Sequence, residues 1–213
     1  GSARDAQDEE QLIANKITHV LNLTHEFPAS RQALALNITV DRVEMKDVET
    51  QHIIPHLQKC WDIIDAVKVK NGRILVHCVV GKSRSASLII SYLLHTQICT
   101  TLKDSYLLVK SKRPLIRPNS GFLRQLMKLE TDSKGLQGST LAWSDVLDEN
   151  MTILDWLSRY STSKGSLKKV NHAPTHIWSE ILTKDTFTIP PYLFPELQAY
   201  CARALQAGQP TKL

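Results

Sequence analysis

Cys78 and Arg84 stand with five residues between them, inside Val76-His77-Cys78-Val79-Val80-Gly81-Lys82-Ser83-Arg84-Ser85. The apolar run RILVH (residues 73–77) reads as a strand, and residues 85–95, apolar nearly all round, as a buried helix. A strand ending at a cysteine and a helix opening at an arginine enclose a short loop, and such a loop suits a phosphate dianion. The backbone N–H groups of Val79, Val80, Gly81, Lys82, Ser83 and Arg84 can point into its concavity. The helix adds the positive end of its dipole. Gly81 permits a backbone conformation that a side chain would forbid. The Arg84 guanidinium can clamp two phosphate oxygens, which a lysine does less well. The same field lowers the pKa of a thiol. One loop can thus hold an anion and activate a nucleophile.

Plainer readings compete at several positions. A lone cysteine is most often inert packing, and that is the reading for Cys60, Cys99 and Cys201. Gly81-Lys82-Ser83 imitates the end of a nucleotide P-loop, but that motif requires glycine where Val76 stands. No C-x-x-C pair occurs, and His77 beside Cys78 has no second ligand pair at metal spacing, so neither metal nor cofactor is expected.

The surrounding elements read as follows. Residues 8–15 suggest a short helix and residues 17–23 (ITHVLNL) a buried strand. Residues 36–45 read as extended, with a change of phase between Val40 and Val43 that suggests a bulge or turn. Residues 50–69 read as a helix with Ile53, Ile54, Leu57, Trp61, Ile64 and Val67 on one face and Pro55 in its first turns. Asn71-Gly72 marks a turn, and the strand after it reads as central in a sheet. Thr101-Leu102-Lys103-Asp104 has the capping-box pattern and opens a helix ending before Pro114. Asn119 or Ser120 caps a further helix through Glu130, and residues 131–140 have linker composition. Beyond them, residues 147–160 suggest an amphipathic helix whose Trp156 stripe is core or a docking face. Lys168-Lys169 reads as a loop charge pair and residues 196–205 as a last helix; no chemistry is apparent there.

A chain of 213 residues suits one domain plus an extension, or two small domains. Its 42% hydrophobic and 22% charged residues are those of a soluble globular protein. No apolar run reaches the length of a membrane span, and the polar, acidic opening is not a secretory signal. A net charge of +5 and a pI near 9.0 favour anionic partners. Lys110, Lys112, Arg113 and Arg117 read either as recruiters of such partners or as a solvated basic face. Four scattered cysteines fit a reducing compartment.

The pattern His-Cys-x-x-Gly-x-Ser-Arg-Ser on a strand, loop and helix resembles that of the dual-specificity protein phosphatases of the Cys-x5-Arg superfamily. ITHVLNL, the helix before the motif, NGRILVHC, the SYLL helix, Arg113-Pro114 and Arg117-Pro118-Asn119-Ser120-Gly121-Phe122 resemble the same family in order. The likeness covers roughly residues 1–130. It implies an α/β, protein tyrosine phosphatase-like fold: a central, mostly parallel sheet flanked by helices. The family's first strand is absent, so Gly1-Ser2 is either the end of the family's L-Y-x-G turn or foreign to it. Residues 131–140 are then a linker and 141–213 a helical C-terminal extension of unknown role.

The resemblance also implies a mechanism. Cys78 attacks phosphorus and forms a phosphocysteine, and Arg84 holds the phosphate. Asp47 matches the general acid about thirty residues upstream, with Asp41 as competitor inside the extended segment and helix capping as its plainer task. Ser85 helps the cysteine leave, His77 tunes it, and Asn119 supports the loop. Lys82 departs from many protein-directed members and resembles the phosphoinositide-directed branch, whose lysine directly after the cysteine is Val79 here. The expected activity is hydrolysis of phosphotyrosine and phosphoserine or phosphothreonine on proteins, as in the small, atypical members. The alternatives are a phosphatase for phosphoinositide or RNA 5′-phosphate, or a phosphate-binding module with little turnover. Phosphorylated proteins are the expected partners, an anionic lipid headgroup the second choice, and nucleic acid is not expected as a binding partner. The expected location is the cytoplasm, with the nucleus as a further compartment.

Overall fold

The computed structural model describes residues 1–146. Gly1–Leu141 form one compact unit, and a second opens at Ala142. The helices expected at residues 147–160 and 196–205, Trp156 and Lys168-Lys169 lie outside the described residues.

The first unit is a parallel sheet between helices. Strand β1 (His19–Thr24) pairs in parallel with β2 (Thr39–Met45) on one side and β3 (Ile74–His77) on the other. Val20, Leu21 and Leu23 are wholly buried, as in a strand covered on both faces. β1 is therefore the central strand, and β3, expected there, lies at the edge of the described sheet. A single residue rather than a strand lies along its outer side: Gly1 N donates to Val76 O at 2.7 Å, and Cys78 N donates back to Gly1 O at 3.3 Å. A groove lined by Asp5, Leu12, Arg73 and Leu75 continues along that edge and includes none of Cys78, Arg84 or Asp47. β2 does carry a bulge, but between Arg42 and Met45, later than the phase change expected between Val40 and Val43: Asn22 pairs with Arg42 and Thr24 with Met45, so β2 has one residue more.

Asp8 caps helix α1 (Glu9–Ala14) through the Gln11 N–H. A short helix not anticipated, α2 (Arg31–Ala35), is capped by Ser30. Helix α3 (Ile54–Val69) begins four residues later than expected and buries Leu57, Cys60, Trp61, Ile64 and Val67, while Ile54 faces solvent. Asn71 takes the left-handed conformation (φ 52°) and turns the chain into β3. Helix α4 (Arg84–His95) runs through the core, with Ser87 and Ser91 bonding back to the carbonyls of Ser83 and Leu88. Thr101 caps helix α5 (Leu102–Lys112), which stops before Pro114.

Asn119 caps helix α6 (Ser120–Lys134), which continues four residues beyond Glu130 and ends at left-handed Gly135. Residues 131–134, read as linker, are thus helical. Glu130 is fully buried and accepts from Leu102 N, Ser139 Oγ, Thr140 N and Thr140 Oγ1 at 2.7–2.9 Å. It closes the orphan end of α5 and fastens the following turn to α6. In the second unit, helix α7 (Trp143–Val146) has its Ala142 N–H bound to Asp145 Oδ2 at 2.8 Å.

Candidate active site

The loop between β3 and α4 has its carbonyls turned outward, each onto a fixed donor. Val79 O accepts from Ala3 N at 3.0 Å and Lys82 O from Arg117 N at 2.7 Å. Gly81 O accepts from Arg113 Nε at 3.0 Å and Val80 O from Arg113 Nη2 at 3.4 Å. With four successive carbonyls held outside, the intervening N–H groups are left for the inside. Arg113, for which substrate recruitment and plain solvation were both open, instead braces this loop, with Asp5 Oδ2 3.6 Å from its Nη2. Gly81 has φ 74°, and a Cβ there would sit 2.6 Å from Gly1 O. Glycine is needed both for the conformation and for the approach.

Cys78 is 1% exposed, at the floor of the loop. Gly81 N donates to its Sγ at 3.3 Å, and Ser85 Oγ lies 3.3 Å from the same sulfur. Ser85 Oγ is also 3.3 Å from Gly1 O, so its single proton has two acceptors to choose between. Burial raises the Cys78 pKa, but the hydrogen bonds from Ser85 and Gly81 and the charge of Arg84 outweigh it, and the thiol titrates below its ordinary value. Cys60 shows the opposite case: buried without such donors, its thiol is pushed up to about 12. The His77 ring is buried, which holds its pKa below the ordinary value and keeps it neutral at pH 7. Nδ1 stands 3.1 Å from Cys78 O, an acceptor, so Nδ1 carries the ring proton.

Asp47 follows β2 and reaches over the loop. Its Oδ1 accepts from Ser83 Oγ at 2.6 Å and from Asn119 Nδ2 at 2.9 Å. Its Oδ2 lies 3.7 Å from Arg84 Nε. Asn119 also donates its backbone N–H to Ser83 Oγ at 3.1 Å and caps α6 through Phe122 N. The backbone behind Asp47 is seated on α6: a Cβ on Gly121 would run into the backbone of Glu49. Gln125 bonds both Ile53 N and Gln51 O, at 2.8 and 2.9 Å. Asp41, the competitor, sits within β2 opposite Leu21, away from this cluster.

Arg84 is 3% exposed, and its Nη1 donates to Glu26 Oε2 at 2.7 Å and to Met45 O at 2.9 Å. Nε is buried without a hydrogen-bond partner. Lys82, by contrast, is exposed on the crown of the loop. The structure thus brings Cys78, Arg84, Ser85, Ser83, Asp47 and Asn119 into one cluster. It adds two residues that sequence reading missed, Glu26 and Gly1, which meet the loop only through the fold.

The description "Dual specificity phosphatase, catalytic domain" matches residues 1–132. The chain belongs to this family. A dual specificity protein phosphatase of Dictyostelium discoideum is 37% identical over 131 residues, covering 61% of this chain and 46% of that relative. Dual specificity protein phosphatase 1 of Arabidopsis thaliana is 36% identical over 130 residues, covering 61% of this chain and 64% of its own length. Matched regions thus span about half to two thirds of these relatives. Among solved structures, a mouse protein classed with the dual specificity phosphatases and complexed with zinc tungstate is 32% identical. Its TM-score is 0.58, covering 63% of this chain and 82% of that one. The fold described, a parallel sheet flanked by helices, is shared with these solved structures. No described helix is long and apolar enough to cross a membrane.

Proposed function

We propose that the chain is a cysteine-dependent phosphatase of phosphorylated proteins, acting on phosphotyrosine and on phosphoserine or phosphothreonine. The observation that carries the reading is the geometry of the loop: Cys78 lies at its floor with Gly81 N–H and Ser85 Oγ at its sulfur, and four successive carbonyls are held outward. The mouse neighbour is complexed with tungstate, an anion of phosphate's tetrahedral shape, which supports an oxyanion ligand for this chain as well.

In the first step the Cys78 thiolate attacks phosphorus, the ester oxygen leaves, and Asp47 gives it a proton. Oδ1 of Asp47 already accepts two hydrogen bonds, so the transferable proton belongs on Oδ2. In the second step Asp47 takes a proton from water, which attacks the phosphocysteine. The sulfur leaves as thiolate and the Ser85 proton turns to it from Gly1 O. Asn119 and Ser83 hold Asp47 and the loop in one frame.

Exposed Phe27, Val48 and Val80 flank Glu26, Asp47 and the loop, an apolar rim better matched to a peptide than to a polyanionic headgroup. The exposed Lys82 favours the second reading, a phosphoinositide phosphatase. Phosphate release from matched phosphotyrosine and phosphothreonine peptides and an inositol phosphate headgroup, wild type beside Cys78→Ser, tests both. Peptide turnover lost in Cys78→Ser supports the first reading; preference for the headgroup replaces it with the second. Binding of phosphopeptide without release by the wild type makes the chain a binding module. A reducing compartment, cytoplasm or nucleus, suits a protein whose reactive Cys78 must remain a free thiol.

A further inference from the structure

We propose that Glu26 is a positioning residue that fixes the rotation of the Arg84 guanidinium, so that its Nε and Nη2 edge faces the phosphate. The inference rests on the phosphatase reading of the loop. Glu26 lies in the connection between β1 and α2, 58 residues before Arg84, and no step described so far uses it.

A guanidinium has five N–H groups in a rigid plane, two on each terminal nitrogen and one on Nε. Two parallel pairs can grip an oxyanion: Nε with Nη2 along the side, or Nη1 with Nη2 at the end. Here Nη1 has both of its protons committed, to Glu26 Oε2 at 2.7 Å and Met45 O at 2.9 Å. The end pair is therefore occupied and the side pair remains. Nε is buried and without a hydrogen-bond partner, and its nearest carboxylate oxygen, Asp47 Oδ2, is too distant at 3.7 Å. An unbonded cationic donor in the interior is costly unless a ligand is meant for it. Bidentate capture through Nε and Nη2 satisfies it.

Glu26 is also built to stay where it is. Phe27 O and Pro28 O accept from Asn22 Nδ2 at 3.1 and 3.2 Å, and Phe27 N donates to Thr24 Oγ1 at 3.2 Å. Before Glu26, the carbonyls of Thr24 and His25 accept from Arg42 Nε and Nη2 at 3.0 and 2.9 Å. Asn22 and Thr24 are wholly buried. The backbone is thus pinned on both sides of Glu26, and its carboxylate is aimed by the sheet. Burial opposes ionisation of Glu26, but the Arg84 bond and nearby charges outweigh it and hold its pKa below the ordinary value.

The test uses tungstate binding by the Cys78→Ser protein, measured by calorimetry, and p-nitrophenyl phosphate turnover by the protein with Cys78 intact. Each is measured with Glu26→Ala, Glu26→Gln, and Glu26→Ala combined with Arg84→Ala. Loss of one aligned, charge-assisted contact predicts about tenfold or greater weakening of tungstate binding and of kcat/KM in Glu26→Ala. Glu26→Gln keeps an oxygen acceptor and restores both to within about threefold. In the Arg84→Ala background, Glu26→Ala changes neither further, because there is no guanidinium to orient. Unchanged binding in Glu26→Ala, failure of Gln to rescue, or an equal loss in the Arg84→Ala background overturns the proposal. If the wild type releases no phosphate, the phosphatase reading fails while tungstate binding still decides the role of Glu26.

Discussion

The Ser85 hydroxyl stands 3.3 Å from the Cys78 sulfur and equally far from the carbonyl of Gly1, so one proton serves two acceptors. A hydrogen bond to the sulfur favours the thiolate, so Ser85→Ala should raise the Cys78 pKa towards its ordinary value. The pH dependence of iodoacetamide alkylation reads that shift directly. An unchanged alkylation profile assigns thiolate stabilisation to Gly81 N–H and Arg84 alone.

Cys78 and Cys60 are both buried, yet their thiols move in opposite directions. Brief alkylation of the folded protein near pH 7, followed by peptide mapping, should label Cys78 and spare Cys60. Cys78→Ser should abolish phosphate release while still binding tungstate. Residual turnover in that variant excludes covalent catalysis through Cys78.

In the mechanism proposed, Asp47→Ala removes the group that protonates the leaving oxygen. Phosphothreonine peptide turnover should fall about a hundredfold or more, and p-nitrophenyl phosphate turnover, whose leaving group needs less help, markedly less. Equal and small losses on both substrates would move the acid role elsewhere.

Gly121 lets Glu49 lie against the start of α6. Gly121→Ala pushes that backbone away and carries Asp47 with it. The expected result is the substrate pattern of Asp47→Ala, together with lower stability from a steric clash of about 1–3 kcal/mol. Alkylation of Cys78 should be unaffected. A loss of alkylation in a variant that still melts cooperatively shows that the disturbance reaches the loop itself.

Glu130 ties α5 to the turn after α6. Burial raises its pKa, but four hydrogen bonds outweigh that and lower it. A carboxylate with a depressed folded pKa contributes stability that is present above its unfolded pKa and lost as pH falls through the folded one. Glu130→Gln should lower Tm at pH 7, by the equivalent of about 2 kcal/mol, and flatten the decline of Tm on acidification. Melts from pH 7 to pH 3 check both; parallel curves for the two proteins refute the assignment.

What the chain disclosed in advance follows from how locally each feature is encoded. Cys78, Gly81, Arg84 and Ser85 share one short stretch, and their spacing already dictates a loop with a helix behind it. Asp47 was legible through the family resemblance, which implies an acid about thirty residues before the cysteine, where the extended segment ends. Glu26 was not, because nothing in His25-Glu26-Phe27 distinguishes it from any solvated loop acid; only the pairing of β1 with β2 and β3 brings it to Arg84. β3 read as central because its composition is apolar, and composition does not say that Gly1 fills its outer side. Helix α2 went unread since it is five residues long and buries only Ala33.

The outer carbonyls of the loop are held by Ala3 from one part of the chain and by Arg113 and Arg117 from another. During synthesis the ribosome delivers Cys78 well before residues 113–117 exist to complete that bracket. Until they arrive, the carbonyls of Val80, Gly81 and Lys82 lack their partners, and that side of the loop has nothing to fix its shape. The bracket around the loop is therefore completed late, when the connection between α5 and α6 docks.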